Sequence, residues 1–331
     1  MLGNSEYLYD AATAATIGRR EVQEDAIVTH FPAGSGLGYI VLADGMGGHA
    51  AGDIASRIVV KEFFDELRLY ADDTSFLESN VGAILRYAMD RANGQVARHT
   101  NNRPDQRGMG STLVAPLIVR NRLYWISVGD SPLYLLRGNR MSRLNQEHSM
   151  ARRLDGMVMN GLISQREADQ NPDRDCVTSV LFGAVVPEID CRDHPIDLLD
   201  GDILIVASDG LLFIDEPRIA ALVHNARNRP SVEISARLLQ EIRDRDDPDQ
   251  DNVCLCVVKV SKHGSPVLPI EPLVAAEPVR EPAKEVAREP TREPTREPSL
   301  RPSAFRRTTV QLQVRHKGKH LSRIFSCESE G

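Results

Sequence analysis

Short apolar runs and longer stretches of helical spacing follow one another in blocks along the first 261 residues of this 331-residue chain. Tyr39–Ala43 (YIVLA), Leu123–Val128 (LYWISV), Ile203–Ala207 (ILIVA) and Val253–Val260 (VCLCVVKV) are short, rich in β-branched residues and bounded by Gly, Asp or Asn. That combination predicts buried strands. Ser111–Val119 (STLVAPLIV) predicts another, with Pro116 marking an edge or a bulge because proline cannot donate to a ladder. Ile54, Ile58, Phe63 and Leu67 predict a helix starting after Gly52. Leu77, Val81, Ile84, Leu85, Ala88, Met89, Ala92 and Val96 share one apolar face and predict a second. A third helix is expected after Pro217 and a fourth around Ile234–Ile242. Strands come in runs with helices grouped between them, which favours an α+β layered sandwich over a doubly wound sheet.

The pattern changes after Lys262. From Glu277 a four-residue period reads EPVR, EPAK, EVAR, EPTR, EPTR and then EP again. Proline at nearly every fourth position removes backbone donors, and there is no apolar face to bury, so a disordered arm is expected. The chain thus divides into a folded unit at 1–261, a Pro/Glu/Arg-rich linker at 262–300 and a basic tail at 301–331. Residues 301–323 carry seven Lys/Arg and no acid. They read either as a solvated tail or as a contact for a partner or an anionic surface.

Composition narrows the class. Hydrophobic residues make up 41% and charged residues 26%, as in an average soluble domain, while aromatics at 5% leave the core to Val, Ile, Leu and Ala. The net charge of −7 is uneven. Residues 264–331 hold 12 basic and 9 acidic side chains, so the body carries −10 and argues against nucleic acid as its main partner. No apolar stretch reaches the roughly 18 residues of a membrane span. The N-terminus lacks the basic-then-apolar order of a signal peptide. Five cysteines without a CxxC pair or a regular framework read as free thiols in a reducing compartment, so the cytoplasm is the expected location.

Three strand-like runs end in an aspartate followed by a small residue: Asp44-Gly45, Asp130-Ser131 and Asp209-Gly210. Asp251 immediately precedes the last strand, and Glu24-Asp25 lies just before Ala26–Thr29. Singly, each reads as turn chemistry, since aspartate is disfavoured in strands and common at their ends. As a set they can converge on one rim of a sheet layer. Packed carboxylates repel and acquire raised pKa values unless cations neutralise them. Hard divalent ions such as Mg²⁺ or Mn²⁺ prefer that all-oxygen environment.

These residues carry a resemblance to the metal-dependent protein phosphatases of the protein phosphatase 2C type, in their bacterial form. In order the matching blocks are Gly18-Arg19-Arg20 with Glu24-Asp25, then Asp44-Gly45-Met46-Gly47-Gly48-His49, then Gly108-Met109-Gly110-Ser111-Thr112. Gly129-Asp130-Ser131, Thr178-Ser179 with Gly183, Ser208-Asp209-Gly210-Leu211 and Asp251-Asn252 complete them. The resemblance implies a four-layer α-β-β-α sandwich of two antiparallel sheets flanked by helices, with a metal centre at one end. It implies that Asp44 bridges two Mn²⁺ or Mg²⁺ ions and that the Gly45 carbonyl ligates one of them. Asp209 and Asp251 would ligate the other, Glu24 and Asp25 would reach the second metal through water, and Asp130 would help hold a third, weaker ion. Arg20 would grip the substrate phosphate.

Such a pair, roughly 3.5–4 Å apart, lowers the pKa of a shared water towards about 7, and the resulting hydroxide can attack phosphorus directly. A planar guanidinium suits phosphate because it donates two hydrogen bonds to one group. None of the cysteines begins a Cys-x5-Arg loop, and no HExxH, GxSxG or Walker-type GxxxxGK(S/T) occurs.

Two positions depart from the family pattern. Met46 stands where animal members carry a histidine proposed as general acid, which leaves the proton donor open, with His49 nearby as either donor or outer-shell residue. Pro132 stands where arginine is common, which points to altered local packing or substrate preference. Residues 146–177 resemble the flap beside the catalytic cleft. Gly156, Gly161 and Pro172 suit a mobile segment, and Arg152, Arg153 and Arg166 are either phosphoprotein contacts or solvated charge.

The expected activity is that of a protein serine/threonine phosphatase acting on phosphorylated proteins, including a cognate Ser/Thr kinase and its substrates. The tail is a candidate tether for a kinase or a phosphothreonine-reading partner. The rival reading, a catalytically weak phosphoprotein-binding scaffold of the same fold, is disfavoured because every expected ligand carboxylate is present.

Overall fold

The computed structural model describes residues 6–47 and 51–262, together with backbone strands at 310–316 and 319–325. The chain opens with β1 (Tyr7–Thr16), β2 (Asp25–His30) and β3 (Leu37–Met46), then α1 (Gly52–Arg68), α2 (Thr74–Ser79) and α3 (Val81–Asn102). Next come β4 (Gly110–Ser111), β5 (Leu113–Val119), β6 (Arg122–Val128), β7 (Leu133–Arg137) and β8 (Arg140–Arg143). Helices α4 (Met150–Met159) and α5 (Gln165–Asp169) precede β9 (Asp190–Asp197) and β10 (Ile203–Ala207). Helices α6 (Glu216–Asn225) and α7 (Ser231–Arg245) lead into β11 (Val253–Lys262).

Two antiparallel sheets form, ordered β1-β11-β10-β7-β8 and β2-β3-β5-β6-β9. Their inner faces meet through Ile40, Leu42, Val114 and Trp125 on one side and Leu204, Val206, Cys256 and Val258 on the other. The alternate residues of the same strands point outward. Tyr39, Val41, Leu117 and Ile126 pack under α1 and α3. Ile203, Ile205, Leu255 and Val257 pack under α6 and α7. The four-layer α-β-β-α sandwich is therefore present. Because both faces of each central strand are covered, these strands read as unbroken apolar runs, whereas an antiparallel sheet with one wet face would alternate.

The helices depart from expectation at one point. A single apolar stripe from Leu77 to Val96 predicts one helix, but Asn80 leaves helical geometry and separates α2 from α3. Asp73 caps α2 through the Phe76 N–H, and Leu77 stays buried in the same core as the α3 face. The periodicity records a shared burial surface, not a continuous backbone.

Pro116 also differs. It lies in β5, an interior strand opposite Trp125, and the register with β3 is the same on both sides of it. It is neither an edge nor a bulge. The β3–β5 ladder lacks pairs at Ile40 and Val41, opposite the missing proline N–H and Ala115.

Strands β1 and β9 carry no apolar run and are absent from the sequence reading. Both are edge strands. In β9 the sequence DCRDHPID sets charges and a proline on the open edge, where they oppose pairing with another chain.

The linker expected at 262–300 lies, apart from Lys262, outside the described residues, as do 301–309 and 326–331. Within the tail, β12 (Val310–His316) and β13 (Lys319–Phe325) pair as an antiparallel hairpin, an element the reading of 301–331 as a basic tail does not contain. Val310, Leu312 and Val314 alternate with polar residues, which was its legible signal. Among the described residues, no helix is long and apolar enough to cross a membrane.

Candidate metal and phosphate site

Antiparallel pairing brings the acidic residues together, because it sets the start of one strand beside the end of its neighbour. Asp25, the first residue of β2, is the register partner of Asp44 near the end of β3. In the other sheet, Ser208 just past β10 donates its backbone N–H to the Cys254 carbonyl at the start of β11 (2.9 Å), so Asp209 and Asp251 flank one corner. Asp130 follows the end of β6, whose last residue pairs with the start of β5. Asp44 does not end its strand as expected, since β3 continues through Gly45 to Met46 by pairing with β4.

The carboxylates feel one another. Burial raises the Asp44 pKa well above the carboxylate range, and Asp25, Asp209, Asp251 and Asp130 raise it further. Burial likewise raises Asp25, with Asp209 and Asp251 adding to the shift while Ser208 and the Cys254 N–H oppose it. Asp251 is raised by burial and by Asp209, against the opposing charge of Arg20. Glu24 is pushed up to about 7, first by burial and then by Asp251. All five aspartates and Glu24 named by the sequence reading therefore share one electrostatic site.

Backbone and hydroxyl groups hold this cluster in place. The Asp44 backbone is clamped by Thr112, whose N–H donates to the Asp44 carbonyl (2.9 Å) and whose Oγ1 accepts the Asp44 N–H (3.0 Å). Ser111 Oγ donates to the same carbonyl (3.0 Å). Thr112 Oγ1 also lies 2.9 Å from Ser131 Oγ, next to Asp130. Across the two sheets, the fully buried Ser208 Oγ donates to Asp25 Oδ2 (2.6 Å) and accepts the Cys254 N–H (3.0 Å). Asn252 ties down the β1–β2 loop: its Oδ1 accepts the Glu24 N–H (2.7 Å) and its Nδ2 donates to the Ile17 carbonyl (2.8 Å). These positioning residues lie inside the blocks quoted above. Their hydroxyl and amide side chains, next to carboxylates, were the available signal.

Arg20 sits on that loop and donates from Nη2 to Asp251 Oδ2 (2.6 Å). It thus stands beside an expected metal ligand, with its guanidinium partly exposed. Glycines allow the close approaches. A Cβ on Gly18, which has a φ of +64°, would lie 2.2 Å from the Asp251 carbonyl, and one on Gly210 would lie 2.0 Å from the Asn252 carbonyl.

The donor set fits hard divalent cations: it is all oxygen, strongly negative and held by backbone geometry. As the side chains stand, no group of three or more His, Cys, Asp or Glu among the described residues is gathered tightly enough to hold an ion. Several oxygens are already engaged, Asp251 with Arg20 and Asp25 with Ser208, and unneutralised carboxylates repel one another. The Cys254 thiol, next to Asp25 and Asp44, is raised by burial and stays protonated. Gly48 and His49 lie outside the described residues. Pro132 is buried, and its carbonyl accepts the N–H of Ala207 at the end of β10 (3.1 Å). The flap-like segment carries α4 and α5, and its Arg153 pairs with Glu188 (3.1 Å).

This chain belongs to the protein phosphatase 2C family, whose model, described as "Protein phosphatase 2C", matches residues 14–246. It is 33% identical over 227 residues to the serine/threonine protein phosphatase PstP of Mycobacterium tuberculosis, covering 68% of this chain and 41% of that protein. It is 32% identical over 173 residues to a serine/threonine phosphatase, stp, of Listeria welshimeri, covering 52% and 66% of the two chains. The matched part thus spans about two-fifths of the mycobacterial relative and about two-thirds of the Listeria one. Among solved structures, the M. tuberculosis PstP/Ppp phosphatase superposes with a TM-score of 0.63 at 28% identity, covering 77% of this chain and 99% of that one. The PstP catalytic domain in complex with two manganese ions gives a TM-score of 0.60 at 28% identity, covering 77% and 100%.

Proposed function

We propose that this chain is a protein serine/threonine phosphatase that depends on Mn²⁺ or Mg²⁺. The observation that carries the proposal is the convergence of Asp25, Asp44, Asp130, Asp209 and Asp251 from both sheets on one site with Arg20 at its edge. Relatives named as serine/threonine phosphatases, one solved with two manganese ions, support it.

In this reading Asp44, the Gly45 carbonyl, Asp209 and Asp251 would hold the two ions. Asp25 and Glu24 stand behind, and Asp130 takes part in a weaker third site. When bound, the ions supply Lewis-acid chemistry, lowering the pKa of water and neutralising phosphoryl charge. Arg20 orients the phosphate by a two-pronged hydrogen bond, and its position next to Asp251 places that phosphate over the carboxylates. Thr112 and Asn252 hold the backbones of Asp44 and Glu24, and Ser208 holds the Asp25 carboxylate, which limits the freedom of the acidic residues.

The substrates are phosphorylated proteins, including a Ser/Thr kinase and its targets, in the cytoplasm. Residues beyond 262 act as a tether to such a partner and not as part of the reaction. The test is hydrolysis of a phosphothreonine peptide and of p-nitrophenyl phosphate by the full chain, with Mn²⁺ and with chelator. Metal-dependent release of phosphate from both is expected, and phosphopeptide binding without turnover would make the chain a scaffold. Truncation after Ser261 should leave p-nitrophenyl phosphate hydrolysis unchanged and slow dephosphorylation of the native partner.

A further inference from the structure

His148 lies at the root of the flap-like segment, is 4% exposed and belongs to none of the motif blocks. Both legs of that segment meet there. Ser149 and Val177 form an isolated antiparallel bridge, the Met150 N–H donates to the Cys176 carbonyl (2.8 Å), and the Thr178 N–H donates to the His148 carbonyl (2.8 Å). The backbone N–H and Nδ1 of His148 turn to the corner that carries Asp130. Its backbone N–H donates to the Gly129 carbonyl (3.0 Å), and its Nδ1 accepts the Gly129 N–H (3.1 Å). One residue therefore satisfies both backbone groups of the glycine preceding Asp130 while joining the two legs of the flap.

Neighbouring contacts stiffen the same junction. Arg143 donates to the Asp130 carbonyl and to Glu147 Oε2, and Glu147 in turn accepts from Ser149 Oγ, the N-cap of α4. Gly129 has a φ of +105°, which favours glycine, and its backbone packs so closely on Thr112 that a Cβ there would lie 2.6 Å from Thr112 Cγ2. The corner is thus pinned between Thr112 and His148.

We propose that His148 is a positioning residue that locks the flap root to the Asp130 corner, so that cation binding at Asp130 and ordering of residues 149–177 are one coupled event. The proposal rests on the phosphatase reading only through Asp130 as a metal ligand. Coupling of this kind is reciprocal: what Asp130 gains from an ordered flap, the flap gains from an ion at Asp130. Asn in place of His148 presents an amide oxygen near the Nδ1 position and keeps the Gly129 N–H satisfied. Gln presents its amide near Nε2 and does not.

The test uses the full chain with Mn²⁺ alone, reading flap order by hydrogen–deuterium exchange and metal binding by calorimetry. In the unaltered protein, saturating Mn²⁺ should slow exchange across 149–177. His148→Gln should abolish that effect and weaken the weakest class of Mn²⁺ site by about tenfold or more, the usual consequence of losing an outer-shell partner. His148→Asn should restore both. Equal Mn²⁺ protection of the flap in His148→Gln and the unaltered protein would overturn the proposal, as would an effect of Gln on exchange with no change in metal binding. Asp130→Asn separates the underlying reading: if it leaves Mn²⁺ affinity and stoichiometry unchanged, Asp130 is no ligand, whatever His148 does. If Gln unfolds the chain, Asn against the unaltered protein still decides, because failure of Asn to preserve Mn²⁺-dependent flap protection rejects the acceptor at Nδ1 as the lock.

Discussion

Asp25 and Asp44 are register partners on adjacent antiparallel strands, a buried and a half-buried carboxylate at directly opposite positions. Like charges in that position destabilise a sheet. Here burial and the neighbouring aspartates raise both pKa values. A pair so placed makes the metal-free fold less stable than its packing allows, and a cation reverses the sign of the interaction. Asp25→Asn should therefore raise the melting temperature of the chelated protein by several degrees, at about 2–4 °C per kcal/mol for a domain of this size. It should shrink the further rise caused by Mn²⁺. A lower melting temperature in chelator would show that the pair is not strained.

The same shifts set a pH dependence. Glu24 moves from an ordinary 4.5 to about 7 on folding, and Asp25, Asp44 and Asp251 are raised as well. A folded state that holds protons the unfolded chain has released loses stability as pH rises. For Glu24, stability is present in full below about pH 4.5 and declines up to about pH 7. Chemical denaturation of the chelated protein should show this fall, and the Mn²⁺-induced gain should grow over the same interval. Stability that climbs from pH 5 to 7 without metal would contradict it.

Chelation should abolish turnover and Mn²⁺ should restore it. Asp44→Asn and Asp209→Asn should each lower kcat by about 10²-fold or more with the circular dichroism spectrum unchanged. Substantial activity in thoroughly chelated protein would reject a metal mechanism.

Arg20→Ala should raise KM for a phosphopeptide by about tenfold or more, the scale of a charged hydrogen bond, with a smaller effect on Mn²⁺ affinity. Because Arg20 also bonds Asp251, calorimetry is needed beside kinetics. An unchanged KM with an emptied metal site would assign Arg20 to metal support instead. Met46→Ala should be mild, since a thioether cannot donate a proton.

Gly210→Ala should cost about 1–3 kcal/mol, the range for overpacking a tight site. The added methyl would meet the Asn252 carbonyl, a backbone atom that cannot move without shifting Asp251. Thermal melts should report the loss, and Mn²⁺ affinity should fall with it.

The legible parts of this molecule are those where burial dictates residue type. Ile203–Ala207 appears in the sequence with the boundaries it has in the fold, because covering both faces demands five apolar residues in a row. β1 escaped because its Tyr7–Thr16 run is mostly Ala and Thr, half-buried against β11 and α7. β9 escaped because an edge strand selects for charge, which reads as loop. The break at Asn80 escaped because hydrophobic spacing reports which face is buried and is silent about whether the backbone stays helical between two buried turns.

By itself the sequence determined the layered α+β class and the acidic residues at or near the ends of its strands. Those are local properties, written in residue type and spacing. Tertiary structure alone decided that Ser208 meets Asp25 from 183 residues away and that Asn252 holds the Glu24 backbone from 228 residues away. It alone decided that His148 closes on Gly129. Such pairings arise because two sheets stack through their apolar faces, and the register of that stacking sets which polar side chains share a rim. Hydrophobic pattern specifies that the faces meet. Which atoms then face each other follows from strand order and twist, which no single segment encodes.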